Sequence, residues 1–445
     1  MGILNETHTN KTLQTPGLNP FLPFGTYIPD GEPKVFGDRL YLYGSFDLPG
    51  NDAGYCSNVY HTVSAPLSDL TRWTDHGESF SSAAVPWSDA LLYAPDALFY
   101  KGKYYLFFCM SDGSEGVAES DAPEGPFGNA RRITLAGEPI SGIDPSVLED
   151  GGKLYYTWGQ FHLNVGELSE DLCTLKPGTV HTDVLSNAPG REGFHEGSSL
   201  RKLGERYCMI YASEYQDAPP NSGARPTKLD YAVSDTPYGP YERRGTVIDN
   251  DGCDPATWNN HGSVIRAGEQ WFVFYHASSG NTQFMRRARA ERLTVDEANA
   301  VIYKARPSAN GFVETLRPAH IASPVHACRF FGGAYVTQTG ADSFPALLCA
   351  NGAGFAFSPI LFQAGDYALT LRYRAESETR LRIKAGETAT AVTLPGAENA
   401  AIAAVSFSMQ AGLSPLSIER TDPGAGRCEI EALCLEPIQD KINTL

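Results

Sequence analysis

Between Gly37 and Tyr275 one pattern recurs five times: a glycine, one or two polar residues, then an alternating aromatic strand. The copies are Gly37-Asp38-Arg39-Leu40-Tyr41-Leu42-Tyr43, Gly102-Lys103-Tyr104-Tyr105-Leu106-Phe107, Gly152-Lys153-Leu154-Tyr155-Tyr156-Thr157-Trp158, Gly204-Glu205-Arg206-Tyr207-Cys208-Met209-Ile210-Tyr211 and Gly268-Glu269-Gln270-Trp271-Phe272-Val273-Phe274-Tyr275. Successive glycines are 65, 50, 52 and 64 residues apart. An apolar strand precedes each glycine, which places the glycine in a hairpin turn. Four short strands per repeat of this length make one propeller blade, so the five copies predict a five-bladed β-propeller.

After Ala305-Arg306-Pro307-Ser308 the pattern changes. Short alternating runs follow, such as Tyr367-Ala368-Leu369-Thr370-Leu371-Arg372-Tyr373, Leu381-Arg382-Ile383, Val405-Ser406-Phe407 and Leu416-Ser417-Ile418, separated by turns rich in Gly, Pro and Ala. They predict a β-sandwich of jelly-roll type. The expected organisation is therefore all-β: an N-terminal extension over 1–18, a propeller over 19–305 and a β-sandwich over 320–445. Either sugar binding or a lid packed on the propeller is the expected role of the second module.

Composition narrows the partners. The 445 residues carry 22 Tyr, 22 Phe, 5 Trp, 44 Gly and 30 Pro, a makeup that suits aromatic strands and frequent turns. Thirty-five Lys and Arg against 52 Asp and Glu leave a net charge of −17. That balance argues against nucleic acid and against an anionic membrane surface, and it is compatible with an uncharged substrate. No apolar run approaches the roughly 18 residues of a membrane helix, and Met1 to Pro16 has no apolar stretch of signal-peptide type. The nine cysteines are scattered without a paired motif, as expected of reduced thiols, so the expectation is a cytoplasmic protein. Oligomeric state leaves no mark on the sequence.

A second regularity lies upstream of the hairpin glycines. Asp30 stands seven residues before its glycine, Asp96 six, Asp144 eight, Glu196 eight and His261 seven. The first strand of a propeller blade lines the central channel, so these groups are expected to converge at its mouth. An Asp before Pro or Gly often only initiates a turn. Ionisable groups in phase with a repeat are a different matter, because crowding of like charges goes with shifted pKa values and chemistry.

At these residues the sequence resembles the glycoside hydrolase family 43 enzymes, five-bladed propellers that remove arabinose or xylose from plant polysaccharides. The resemblance covers roughly residues 19–303. It rests on Asn19-Pro20 leading to Pro29-Asp30, on Ser64-Ala65-Pro66-Leu67-Ser68-Asp69-Leu70-Thr71-Arg72-Trp73, on Tyr93-Ala94-Pro95-Asp96, on Ile143-Asp144-Pro145-Ser146, on His195-Glu196-Gly197-Ser198-Ser199 and on His261-Gly262-Ser263-Val264. It implies an inverting glycosidase of α-L-arabinofuranosidase or β-xylosidase type that requires no cofactor.

Inversion needs two carboxyl groups on opposite faces of the sugar, one ionised to activate water and one carrying a proton. Matching the motifs makes Asp30 the general base, Glu196 the general acid and Asp144 the third carboxylate, whose charge is expected to raise the acid's pKa. The family's Asp-Pro at the base is here Asp30-Gly31-Glu32-Pro33, which leaves Glu32 as an alternative to Asp30. The resemblance places His261 on the channel axis, where it either binds a calcium ion, mostly through waters, or is a buried hydrogen-bonded histidine. Phe24, Tyr93, Asp96, Trp158 and Arg287 complete the expected substrate-binding set.

Overall fold

The structure is a computed structural model that describes residues 16–185, 193–213, 228–254, 260–340, 343–424 and 426–438, together with the backbone of Lys11–Thr12. No α-helix occurs among the described residues. Five antiparallel meanders follow one another around a central channel. The first blade comprises Glu32–Phe36, Arg39–Tyr43, Val59–Pro66 and Thr74–Ser81, with Lys11–Thr12 added along its outer edge. The second is Asp96–Tyr100, Lys103–Cys109, Glu115–Ser120 and Gly128–Arg132. The third runs through Ser146–Asp150, Lys153–Trp158, Asn164–Leu168 and Thr174–Leu175, extended by Thr134–Leu135 and Glu138–Pro139. Phe194–Leu203, Arg206–Ser213, Lys228–Ser234 and Glu242–Asp249 form the fourth, and Ser263–Ala267, Gln270–Ala277 and Arg287–Leu293 the fifth, which has three strands.

The aromatic alternation that marks each repeat follows from blade stacking. Leu40 and Leu42 pack with Phe272 and Phe274 of the fifth blade, while their neighbours Tyr41 and Tyr43 pack with Leu106 and Phe108 of the second. Phe107 faces Tyr156 of the third blade, and Tyr155 faces Phe194 and Met209 of the fourth. A blade buried on both faces needs apolar residues at odd and even positions of its second strand, and so reads as a near-continuous apolar run. The five hairpin glycines all adopt positive φ, between 57° and 86°, which turns the first strand into the second without a Cβ clash. The ring closes by packing of the first strands of blades one and five, with a parallel bridge between Gly31 and Gly262. Asn19 holds the incoming chain against blade five: its Nδ2 donates to the Ala290 carbonyl and to Glu291 Oε1, both at 2.9 Å.

The C-terminal β-sandwich has two five-stranded antiparallel sheets. One orders Arg329–Phe331, Gly354–Phe362, Gly412–Arg420, Thr379–Ala385 and Thr388–Leu394; the other Tyr335–Val336, Ala346–Leu348, Cys428–Pro437, Gly365–Ala375 and Ala397–Met409. Strict alternation points Leu381 and Ile383 inward and Arg382 and Lys384 outward, and Phe355, Phe357, Leu369, Leu371, Ile418 and Ile430 fill the space between the sheets. The sandwich packs directly on the propeller. Phe330 N–H donates to the Cys253 carbonyl at 2.9 Å, Val336 N–H to the Ser279 carbonyl at 2.8 Å, and the rings of Phe24 and Phe344 meet at 3.7 Å. Among its described residues no large aromatic side chain is strongly exposed.

Candidate active site

The first strands of the blades line the channel, and their starting residues define a level. Glu32, Asp96, Ser146 and Ser263 each begin such a strand. Two residues earlier, at the mouth, stand Asp30, Ala94, Asp144 and His261. Asp30 and Asp144 share an uncommon left-handed backbone, with φ of 57° and 56°, which lifts both carboxyls off the strand ends into the mouth. The fourth blade reaches the same level differently. Register shifts between Phe194 and Glu196 and between Glu196 and Ser199 bulge its first strand, and such bulges re-aim a side chain. Gly197, with φ of 68°, completes the bulge; a Cβ there would sit 2.9 Å from the His261 ring.

These groups converge. His261 Nδ1 lies 3.7 Å from Asp30 Oδ1 and 3.8 Å from Asp144 Oδ2. Asp144 Oδ2 accepts the Gly197 N–H at 3.0 Å, which ties it to the residue after Glu196. Glu196 Oε2 accepts from Gln160 Nε2 at 2.7 Å and lies 3.7 Å from His195 Nε2. All three carboxyls are buried.

Their electrostatic settings differ. Burial pushes the Asp30 carboxyl up, but the Arg286 guanidinium (Nη1 to Oδ1 2.7 Å) and the His276 side chain together outweigh it and hold Asp30 well below the usual carboxylate range. Asp144 has no cation of its own. Burial, then the charges of Glu196 and Asp30, push it well above that range. His261 is pulled down by burial against the opposing pull of the carboxylates, so its imidazole is neutral. Behind Asp144, burial pushes Glu115 up to about 8 although Tyr156 donates its hydroxyl to it, so this fourth carboxyl adds no charge at neutral pH. The mouth thus holds one permanently ionised carboxylate and, opposite it, a facing carboxyl pair that retains a proton.

Comparison with known proteins places this arrangement in a family. The model of glycosyl hydrolases family 43 matches residues 58–300. A xylosidase/arabinosidase of Thermoclostridium stercorarium is 31% identical over 374 residues, 74% of this chain and 76% of its own. One from Bacteroides ovatus is 28% identical over 333 residues, 63% of this chain and 96% of its own. The chain belongs to glycosyl hydrolase family 43. Among solved structures, a family 43 β-xylosidase/α-arabinofuranosidase from a compost metagenome, in complex with xylotriose and calcium-free, superposes with a TM-score of 0.55 at 25% identity, covering 67% of this chain and 99% of that one. A family 43 arabinoxylan arabinofuranohydrolase of Bacillus subtilis covers 94% of this chain and 97% of its own with a TM-score of 0.55, at 20% identity, and so shares the two-module fold.

In this family 43 glycosidase the remaining expected residues divide. Tyr93 borders the site: burial raises its phenol, and Glu196 and Arg286 act on it from nearby. Asp96 does not reach the mouth. It begins its strand instead of preceding it, is fully buried, and binds Lys34 Nζ at 2.7 Å and the Val147 N–H at 2.7 Å. Glu32 lies at the same deeper level, where Lys34 at 3.4 Å and Arg201 neutralise it. Trp158 is packed in the core between blades two and three against Tyr156, with no face open to a ligand. Phe24 and Arg287 lie together at the seam with the sandwich, the guanidinium 3.7 Å from the ring centre.

Arg286, the neighbour of Arg287, turns to the carboxylates. It grips Asp47 through Nε and Nη2, both at 2.9 Å, and its guanidinium lies 4.6 Å from the Tyr55 ring centre. Adjacent residues entering a strand face opposite ways, which separates the two arginines. Asp47, Tyr55 and Gln160 join the site from loops that carry no periodic signal. Calcium finds no oxygen cage at His261. Asp30 Oδ1 is taken by Arg286, Asp144 Oδ2 by Gly197, and no cluster of three or more His, Cys, Asp or Glu side chains suited to a metal occurs among the described residues. An ion there would draw its ligands from water, and no step below runs through one.

Proposed function

We propose that this family 43 enzyme is an inverting glycosidase that releases pentose units, α-L-arabinofuranose or β-D-xylose, from plant-type oligo- or polysaccharides. The observation that carries the reading is the meeting of three buried carboxyls, Asp30, Asp144 and Glu196, around His261 at the channel mouth. The names of the relatives from Thermoclostridium stercorarium and Bacteroides ovatus and the xylotriose bound to the compost enzyme support the pentose.

Asp30 is the base. Its Oδ1 is held by Arg286, while its Oδ2 has no protein partner among the described residues and takes the proton of the attacking water. The water oxygen bonds to the anomeric carbon as the bond to the leaving oxygen breaks. Glu196, oriented by Gln160 through Oε2, gives its proton to that oxygen. One displacement inverts the anomeric centre. Beside Glu196, the Asp144 carboxyl is pushed well above the usual range, so the pair gives up its last proton only at high pH. Every proton moves between side chains, water and substrate, and the scheme needs no cofactor. We also place the enzyme in a reducing compartment, the cytoplasm, because all nine cysteines are free thiols.

The experiment is a panel of nitrophenyl α-L-arabinofuranoside, β-D-xylopyranoside and β-D-galactopyranoside, with NMR of the first-formed anomer. Turnover of a pentoside with inversion is expected. Retention would refute the single displacement, and silence on the whole panel would leave a carbohydrate binder.

Asp144→Asn tests the third carboxyl through pH. The acid must be protonated, so activity falls as pH rises past the titration of the facing pair. Burial and the neighbouring charges put that limb high. Asn removes the like charge that opposes loss of the pair's last proton, and the alkaline limb should move to lower pH. The acidic limb belongs to Asp30, held far below the ordinary range, and should stay put. A pH–rate profile with an unmoved alkaline limb would refute the role.

A further inference from the structure

Four arginines are buried outright among the described residues: Arg286, Arg287, Arg289 and Arg420. Two are neutralised by carboxylates, Arg286 by Asp30 and Asp47 and Arg420 by Asp422. Arg287 and Arg289 have no carboxylate in salt-bridge contact among the described residues, and Arg287 hydrogen-bonds only the Tyr27 hydroxyl. They stand two residues apart on the outer strand of blade five and so project from the same face, at 5% and 3% exposure. Nε and Nη1 of both side chains are buried without a hydrogen-bond partner. Arg289 spends only Nη2, on Ser279 Oγ at 2.9 Å and the Ala327 carbonyl at 3.4 Å. Arg287 rests on Phe24, 3.7 Å from its ring centre, and Phe24 in turn packs on Phe344 of the sandwich.

The charges around them do not balance. Asp254 acts on Arg287 from nearby, but its Oδ2 takes the Ser279 N–H at 2.8 Å. Glu291, on the same strand, is occupied by Asn19, Tyr275 and both donors of Ser308. His326, beside both arginines, is held down to about 4 by burial and by their charge, and so is neutral. Two guanidiniums thus stand against Asp254 and against Glu291, whose carboxyl burial pushes up to about 7, and four buried N–H-bearing nitrogens stay unsatisfied among the described residues, a costly arrangement for a protein interior.

We propose that Arg287 and Arg289 form a binding site for a small monovalent anion of chloride size, buried at the seam between blade five and the β-sandwich, where it fastens one module to the other. A spherical acceptor with a single charge offsets the incompletely balanced guanidiniums and accepts from the unpartnered nitrogens of both at once. The seam residues are themselves buried, which favours a small ion over a sulfate, a phosphate or a sugar acid. The site is separate from the carboxylates of the mouth and does not depend on their chemistry.

Bromide is the probe. Crystals of the full chain soaked in sodium bromide should show an anomalous peak within hydrogen-bond reach of both guanidiniums, and its absence there would overturn the site. In solution, the thermal unfolding midpoint should rise saturably in sodium chloride relative to sodium gluconate at equal ionic strength. Arg289→Gln should abolish that difference between the salts while leaving kcat on a nitrophenyl pentoside unchanged. A chloride-dependent rise that persists in Arg289→Gln would place the ion elsewhere and sink the proposal. Should the variant fail to fold, the bromide peak in the unaltered protein decides alone.

Discussion

Glu196→Gln should lose about 10³- to 10⁴-fold in kcat on an unactivated substrate such as xylobiose, and far less on a dinitrophenyl pentoside. The difference follows from what the side chain supplies. A sugar alkoxide is a poor leaving group and must receive a proton as its bond to the anomeric carbon breaks. A dinitrophenolate departs as a stable anion and needs none. Gln is isosteric and still meets Gln160 and the bulge formed by Gly197, so the variant should unfold at nearly the temperature of the parent. The alkaline limb of its pH profile should also vanish on the activated substrate, because no acid proton remains to be lost. Equal losses on both substrates would show that Glu196 does not act as the acid.

The repeat made the propeller legible because each blade is packed on both faces, so its second strand is a near-continuous apolar run and its hairpin glycine recurs in phase. The sandwich was legible for the opposite reason: one face of each sheet is wet, and Leu381-Arg382-Ile383 alternates accordingly. The candidate site was legible only in part. Counting back from the hairpin glycine finds Asp30, Asp144, Glu196 and His261, but the count tolerates a residue or two, and a single step along a strand changes level. Asp96, six residues before its glycine, therefore falls one layer below Asp144, eight before its own. In blade four the bulge around Glu196 restores the level, and a bulge depends on tertiary contacts rather than on a pattern of residue types. The pair Arg286-Arg287 drew attention as two adjacent cations, but which one faces the carboxylates is decided where the strand begins. Asp47, Tyr55 and Gln160 arrive from loops whose composition resembles that of any other turn. Only the fold brings them to the mouth.

Asp30→Asn should lose about 10³-fold or more in kcat on xylobiose and on the dinitrophenyl pentoside alike, within the reach of a lost general base. Water must be activated whatever the leaving group, so an activated aglycone offers no rescue. The loss cannot be credited to collapse of the site. Arg286 keeps Asp47, bound through Nε and Nη2 at 2.9 Å each, so the guanidinium remains paired and the mouth simply sheds one negative charge. That shed charge has a second consequence. Asp30 is among the carboxylates that push Asp144 upward, so whatever activity survives in Asp30→Asn should lose its alkaline limb at lower pH than the parent. A side chain that served only to bind Arg286 would give neither the uniform loss nor the displaced limb. The decisive comparison is thus between the two variants on two substrates: a loss that depends on the leaving group at Glu196 and one that does not at Asp30. Rescue of Asp30→Asn by the dinitrophenyl substrate would exchange the two roles.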